Sequence, residues 1–239
     1  VARHRLGDTL RAQAQFRNLE VSLFFSPQFS VRQLFFIGMI WFSMPAFASD
    51  KAKRIVSANT ITWVGVDYTA AQFVSNLDFR DEAKVVGEYP EKWNLMVLAE
   101  LLDTLGARSK KQVQTDISGV MKANKSCTTK QIKREEGGSD QTVLSEAIIS
   151  KKVGAYELKT TQGLGFVIVV DKLVKLENTG CAWPVFFDVM TREILHTERI
   201  CNDAKGFGFR NYWFNPVKTI IHSDLKGMMK NIRLQSTQN

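Results

Sequence analysis

Residues 163–213, GLGFVIVVDKLVKLENTGCAWPVFFDVMTREILHTERICNDAKGFGFRNYW, constrain the fold more than any other part of the chain. Within residues 164–174, Phe166, Ile168 and Val170 alternate with Val167, Val169 and Asp171. That is the two-residue period of a strand with apolar groups on both faces. Glu177-Asn178-Thr179-Gly180 is turn chemistry. Residues 181–189 and 193–200 then read as a hairpin around Met190-Thr191-Arg192. Three consecutive apolar strands form an antiparallel meander, and a meander apolar on both faces needs helices to cover it.

The upstream chain supplies them. Residues 61–68, ITWVGVDY, are almost continuously apolar, which suits a central strand buried on both sides. The charged residues 76–84 read as a loop or a short helix. Tyr89-Pro90-Glu91-Lys92 opens a helix, with Trp93, Met96, Val97, Leu101 and Leu105 at helical spacing and Gly106 as its stop. Residues 113–121 read as a second strand and residues 122–138 as a polar loop. Ser139 or Asp140 then caps a helix carrying Val143, Leu144, Ala147 and Ile148. A last helix, residues 216–232, takes Asn215 as N-cap and buries Val217, Ile220, Ile221, Leu225, Met228 and Ile232, with Gly227 marking close packing. The expected fold class is α/β (α+β): a single mixed sheet with a C-terminal antiparallel three-stranded meander, covered by helices.

The N-terminal part reads differently. Arg32 precedes the apolar run Leu34-Phe35-Phe36-Ile37-Gly38-Met39-Ile40-Trp41-Phe42, which leads to Pro45-Ala46-Phe47-Ala48. A basic residue, a short apolar core and a small-x-small site make the pattern of a secretory signal peptide, with cleavage after Ala48. The run falls short of the ~20 residues that span a bilayer, so no transmembrane span is expected after cleavage. Residues 1–30 are polar without apolar rhythm and read as an over-extended leader. The expected organisation is leader 1–30, signal peptide 31–48 and one globular domain, 49–235, preceded by the polar lead-in 49–57. Export places the protein in the periplasm or outside the cell.

The charge, 32 basic against 24 acidic residues, is spread along the chain. Without a basic stripe interleaved with aromatics, nucleic acid is not the expected partner. An envelope protein or an anionic envelope polymer suits an exported, mildly basic protein better. Cys127, Cys181 and Cys201 are the three cysteines. Cys181 and Cys201 lie equidistant from Thr191, so a cross-strand disulfide and two reduced buried thiols are both open.

Two resemblances rest on short motifs. Phe187-Asp188-x-x-Thr191-x-Glu193-x-Leu195 resembles the sheet hairpin of bacterial envelope proteins: curli-secretion lipoproteins, activators of penicillin-binding proteins and the N-terminal domain of TolB-type proteins. Arg192 stands where that pattern usually has glycine. Trp63-x-Gly65-x-Asp67-Tyr68 and Gly206-Phe207-Gly208-Phe209-Arg210-Asn211-Tyr212-Trp213 resemble a family of secreted bacterial proteins of unknown function, and imply no activity.

Catalytic patterns are sparse. His196 and His222 have no ligand-spaced companions, and His196 reads as a strand surface residue, so neither metal nor cofactor is expected. No Gly-x-Ser-x-Gly elbow occurs. Asp67, Asp171 and Asp188 read as turn caps rather than a catalytic pair. Gly206-Phe207-Gly208-Phe209-Arg210 admits two readings. Its backbone N–H groups and Arg210 would grip an anion, or its glycines bend the chain so that Phe207, Phe209, Tyr212 and Trp213 dock on the sheet. The expectation is a non-enzymatic binding or scaffolding module. The alternative is a small-molecule or anion binder, or a hydrolase, with a site formed by Gly206, Gly208, Arg210, Tyr212, Trp213 and Asp67.

Overall fold

The computed structural model of the protein describes residues 44–75, 81–134 and 138–238. The expected leader 1–30 and most of the expected signal peptide 31–48 lie outside them, as do residues 76–80 of the stretch expected as a loop or a short helix and residues 135–137 of the expected polar loop. The described end of the first stretch enters a short helix, α2 (Glu82–Gly87).

The organising strand is β5 (Leu164–Val174), buried at every residue. Two shorter strands lie parallel along one edge of it: β1 (Thr60–Asp67) beside residues 164–169, and β2 (Gln72–Val74) beside residues 172–174. Beyond them, also parallel, come β3 (Gln112–Thr115) on β1 and β4 (Ile132–Lys133) on β2. The other edge of β5 pairs antiparallel with β6 (Thr179–Asp188) along its whole length. Outside β6 lie β7 (Ile194–Thr197) and β8 (Ile200–Asp203), end to end. The sheet is thus mixed, parallel on one side of β5 and a meander on the other, in an α/β fold.

Helices cover both faces. On one, α1 (Met44–Ser57), α2 (Glu82–Gly87), α3 (Tyr89–Glu100), α4 (Leu102–Ser109), α7 (Gly208–Thr219) and α8 (Leu225–Ser236) contribute Ile55, Val85, Trp93, Leu105, Trp213 and Ile232 to a core against Trp63, Phe166 and Phe186. On the other, α6 (Glu146–Ala155) and α5 (Ser118–Asn124) place Ile149, Val153 and Val120 against Val64, Val167 and Phe187. Fully burying each such side chain is worth roughly 1.5–3 kcal/mol relative to exposure. The alternation along β5 feeds both layers: Phe166, Ile168 and Val170 enter the first, Val167 and Val169 the second. In β1 the register slips between Trp63 and Gly65, so Trp63 and Val66 face the same layer and Asp67 turns to the α6 side.

Several expected elements differ. The polar lead-in 49–57 is the body of α1, with Ala52 and Ile55 in the core. Arg54 on its polar face holds Asp188 and Glu193, both at 2.6 Å. Residues 113–121 are a strand only to Thr115. Asp116 then turns its carboxylate to the N–H groups of Lys159 and Thr160, at 2.6 and 2.7 Å, and α5 begins at Ser118. The helix expected after Ser139 starts at Glu146, capped by Ser145. Residues before it run along the sheet, because Arg199 takes the Ser139 carbonyl and Asp171 accepts the Val143 N–H. Residues 122–138 include a 3-10 turn (Thr129–Gln131) and β4.

The expected strand 193–200 is cut short as β7, and after a break opposite Pro184 a separate β8 starts at Ile200. The Pro184 carbonyl accepts from Thr197 Oγ1 on that edge, so the same edge lacks the N–H a continuous ladder needs. Arg192 takes φ 63, the left-handed conformation that glycine adopts most readily. The last helix begins at Gly208, and Asn215 and Pro216 sit inside it. A π-turn (Ile220–Asp224) separates it from α8. Gly227 has open space around it rather than a close neighbour.

Candidate functional site

The carboxyl end of the sheet carries most of the sequence-predicted site residues, divided between its two faces. Gly206 and Gly208 have φ of 121 and 77, values that a side chain would strain, so the chain can turn sharply from β8 into α7. Four residues of α7 then climb from solvent into the core. Phe209 is half-buried, Arg210 is exposed, Tyr212 is half-buried and Trp213 is buried. The docking expected of this segment holds for Phe209, Tyr212 and Trp213. It fails for Phe207, which is 95% exposed, because the two glycines carry it away from the sheet.

These rings join an array that reaches into α3. Trp93 lies 5.0 Å from Tyr68 and 5.3 Å from Tyr89, between ring centroids. Phe209 is 4.9 Å from Tyr89 and 6.4 Å from Trp213, and Tyr212 meets Trp213 edge-on at 4.9 Å. Such pairs add about 0.5–1.5 kcal/mol each beyond burial. The polar handles serve the same architecture. Trp93 Nε1 donates to the Arg210 carbonyl at 2.8 Å, and the Tyr212 hydroxyl donates to Asn178. Lys175 sits over the Tyr212 ring at 4.1 Å and Lys92 over Tyr89 at 5.5 Å. Tyr89, Trp93 and Lys175 were not read from the sequence as belonging here, because their partnership with 206–213 is purely tertiary.

Asp67 lies on the opposite face. It is fully buried and accepts from Thr69 N at 2.7 Å, Thr69 Oγ1 at 2.6 Å and the Tyr156 hydroxyl at 2.6 Å, with Lys152 Nζ at 3.5 Å. Lys152 also donates to Thr69. The strand order β3-β1-β5 makes this the topological switch point, where open α/β sheets commonly bind ligands. Here the residues between β1 and β2 fill the crevice, and the four side chains satisfy one another. Burial, and then the neighbouring Asp67, push the Tyr156 hydroxyl pKa up, so it remains a donor. Cys127 is nearby, but burial and Asp67 push its thiol up to about 11, far from a reactive thiolate. The cluster therefore locks the end of β1, and Asp67 forms no site with Arg210 and Tyr212.

The other acids do not gather either. Asp171 pairs with Arg199 at 2.6 Å, while Asp188 caps the 188–191 turn through Thr191 N at 2.8 Å. Asp188 aligns with Leu164 at the start of β5, so it stands at the far end of the sheet from Asp67, which aligns with Val169. Among the described residues no group of three or more His, Cys, Asp or Glu is placed to hold a metal ion. His196 is half-buried with its Nε2 enclosed and unpartnered, not a surface residue.

Cys181 and Cys201 are aligned across β6 and β8 and joined as a disulfide. An open depression of about 600 Å³ lies at the amino end of the sheet, lined by Asn59, Gly106, Lys110, Lys111 and Gln112. Its buried cation is already engaged: Lys111 donates to the carbonyls of Val56 and Ala58 at the carboxyl end of α1. Nearby, Arg233 donates to the Ser109 carbonyl at the end of α4. These cations complement helix dipoles rather than await an anion.

Among the described residues no helix is long and apolar enough to cross a membrane. No protein-family model matches the chain, and no curated protein matches it.

Proposed function

We propose that this is an exported protein of the bacterial envelope that works as a non-enzymatic binding module, through the aromatic surface at the carboxyl end of its sheet. One observation carries the reading. The array from Trp93 through Phe209 to Tyr212 is anchored in the core, yet Phe207, which leads into it along the chain, is held 95% exposed between two left-handed glycines. A fold that needed this segment only for packing would bury Phe207 along with Phe209 and Trp213. The polar clusters nearby are spent on the protein's own groups, which favours recognition over bond-making.

Two features support export. Cleavage after Ala48 would keep Ser49, Ala52 and Ile55, which are buried in α1. A cross-strand disulfide belongs to an oxidising compartment. Its partner would be an envelope component met at the Phe207 end.

The test is site-specific photo-crosslinking in intact cells of the native host, with the probe at Phe207 or at Met190. Both side chains are exposed, and Met190 lies in the turn at the opposite end of β6. Envelope adducts formed at 207 and not at 190, on protein whose mass starts at Ser49, are expected. Adducts at neither position, or protein retained in the cytosol, would remove the reading.

A further inference from the structure

We infer that the Phe207 end of the molecule docks on an anionic lipid surface, with Phe207 and Leu176 entering the headgroup layer. The inference rests on the binding reading above and names its partner class. Leu176 is 65% exposed in the turn between β5 and β6, and Phe207 lies in the loop between β8 and α7. The two loops are tied side by side. Ala204 N donates to the Asn178 carbonyl at 2.6 Å, the Tyr212 hydroxyl reaches Asn178, and Lys175 covers the Tyr212 ring. Two apolar tips therefore project from one end of the protein, on loops braced by a rigid aromatic array.

Charge selects the surface. Lys175 adjoins Leu176, while Lys205 and Arg210 stand two residues before and three after Phe207. The carboxylates of the same loops are exposed but already engaged. Glu177 accepts the Ser139 N–H at 2.9 Å, and Asp203 meets Lys205 at 3.0 Å. Arg210, with the exposed Lys175 beside it, is thus left to face an external anion, on a chain that carries 27 basic against 22 acidic residues from Ser49 onward. Apolar tips set among cations match the boundary between acyl chains and anionic headgroups. A protein partner would instead need a broad complementary patch of some 20–30 residues, and among the described residues of this end Phe207 and Leu176 are the large apolar side chains that stand out.

Sedimentation of the purified protein with vesicles tests this, using equimolar phosphatidylglycerol and phosphatidylcholine against phosphatidylcholine alone. The wild type is expected to bind the anionic vesicles only, and less as salt shortens the screening length. Phe207→Ser should weaken binding on the order of tenfold or more, from the apolar transfer it removes. Arg210→Glu should weaken it about fivefold or more. Both residues are exposed, so an unchanged thermal midpoint serves as the folding control. Binding that Phe207→Ser leaves intact would overturn the inference, as would equal binding to neutral vesicles. If no vesicle binds while the 207 probe still captures an envelope protein in cells, the lipid assignment falls and the binding surface stands. If both fail, both readings fall together.

Discussion

His196 shows how one side chain couples this fold to pH. Its Nε2 is enclosed without a partner, and burial lowers its pKa, with Glu198 pulling weakly the other way. A lowered folded-state pKa means that the unfolded chain binds the proton first. Stability should therefore fall as pH drops through about 6.5, the unfolded value, and level off once the folded form is also protonated. In His196→Phe this early loss should disappear, leaving only the later loss below about pH 4, where the partners of Arg54 protonate. Urea midpoints of both proteins at neutral and mildly acid pH read the difference directly. An identical acid shift in the variant would assign the loss to other groups. From sequence this histidine reads as a strand surface residue, because alternation alone does not show which side of an outer strand is covered. Asn94 and Asn124 were equally illegible. Both amides bond the β1 backbone at Val66, and Asn124 also reaches Tyr68, so side chains continue the sheet edge where β3 has ended. Nothing in local sequence distinguishes a helix asparagine with that role from a solvated one.

Elements were legible where one interaction dominates. Strands β1 and β5 announce themselves because their burial is continuous, and the start of α3 because proline tolerates the first turn of a helix. Misreadings fell where tertiary bonds override propensity. Residues 116–121 look β-rich, but the buried Asp116 is claimed by the 159–160 backbone and ends the strand. Pro216 looks like a first-turn proline, yet it lies mid-helix against Gly180, where an added β-carbon would meet its Cγ at 2.6 Å. Gly227 offers an element-scale test. It lies exposed in α8 with nothing within 4 Å of where a β-carbon would stand, and its φ is not positive. Gly227→Ala should then stabilise the protein by about 0.5–1 kcal/mol, through helix propensity and a less free unfolded chain. Chemical denaturation reads the gain. A loss would mean that α8 meets a surface absent from the isolated chain.

At the scale of the whole molecule, the meander and the parallel half are separate folding problems joined by β5. The parallel half closes through long crossovers, whereas the meander is local and is clamped at its outer edge by Cys181–Cys201. Those residues are 20 apart in sequence. Cross-linking a loop of that size removes unfolded-state entropy worth about 3 kcal/mol in the chain-entropy account. The two cysteines stand equidistant from Thr191, although the expected unbroken partner strand is divided into β7 and β8. Cys201 belongs to β8, which regains the register after the break opposite Pro184. The bond therefore fixes the very strand that leads into the Gly206–Gly208 turn. Reduction, or replacement of both cysteines by serine, should lower stability by about 3 kcal/mol in urea. It should also free the β8–α7 loop first, seen as faster amide exchange at 202–208 than at β5. Uniform loosening of both halves would instead mean that the sheet unfolds as one unit, with Phe207 held in place by α7 rather than by the meander.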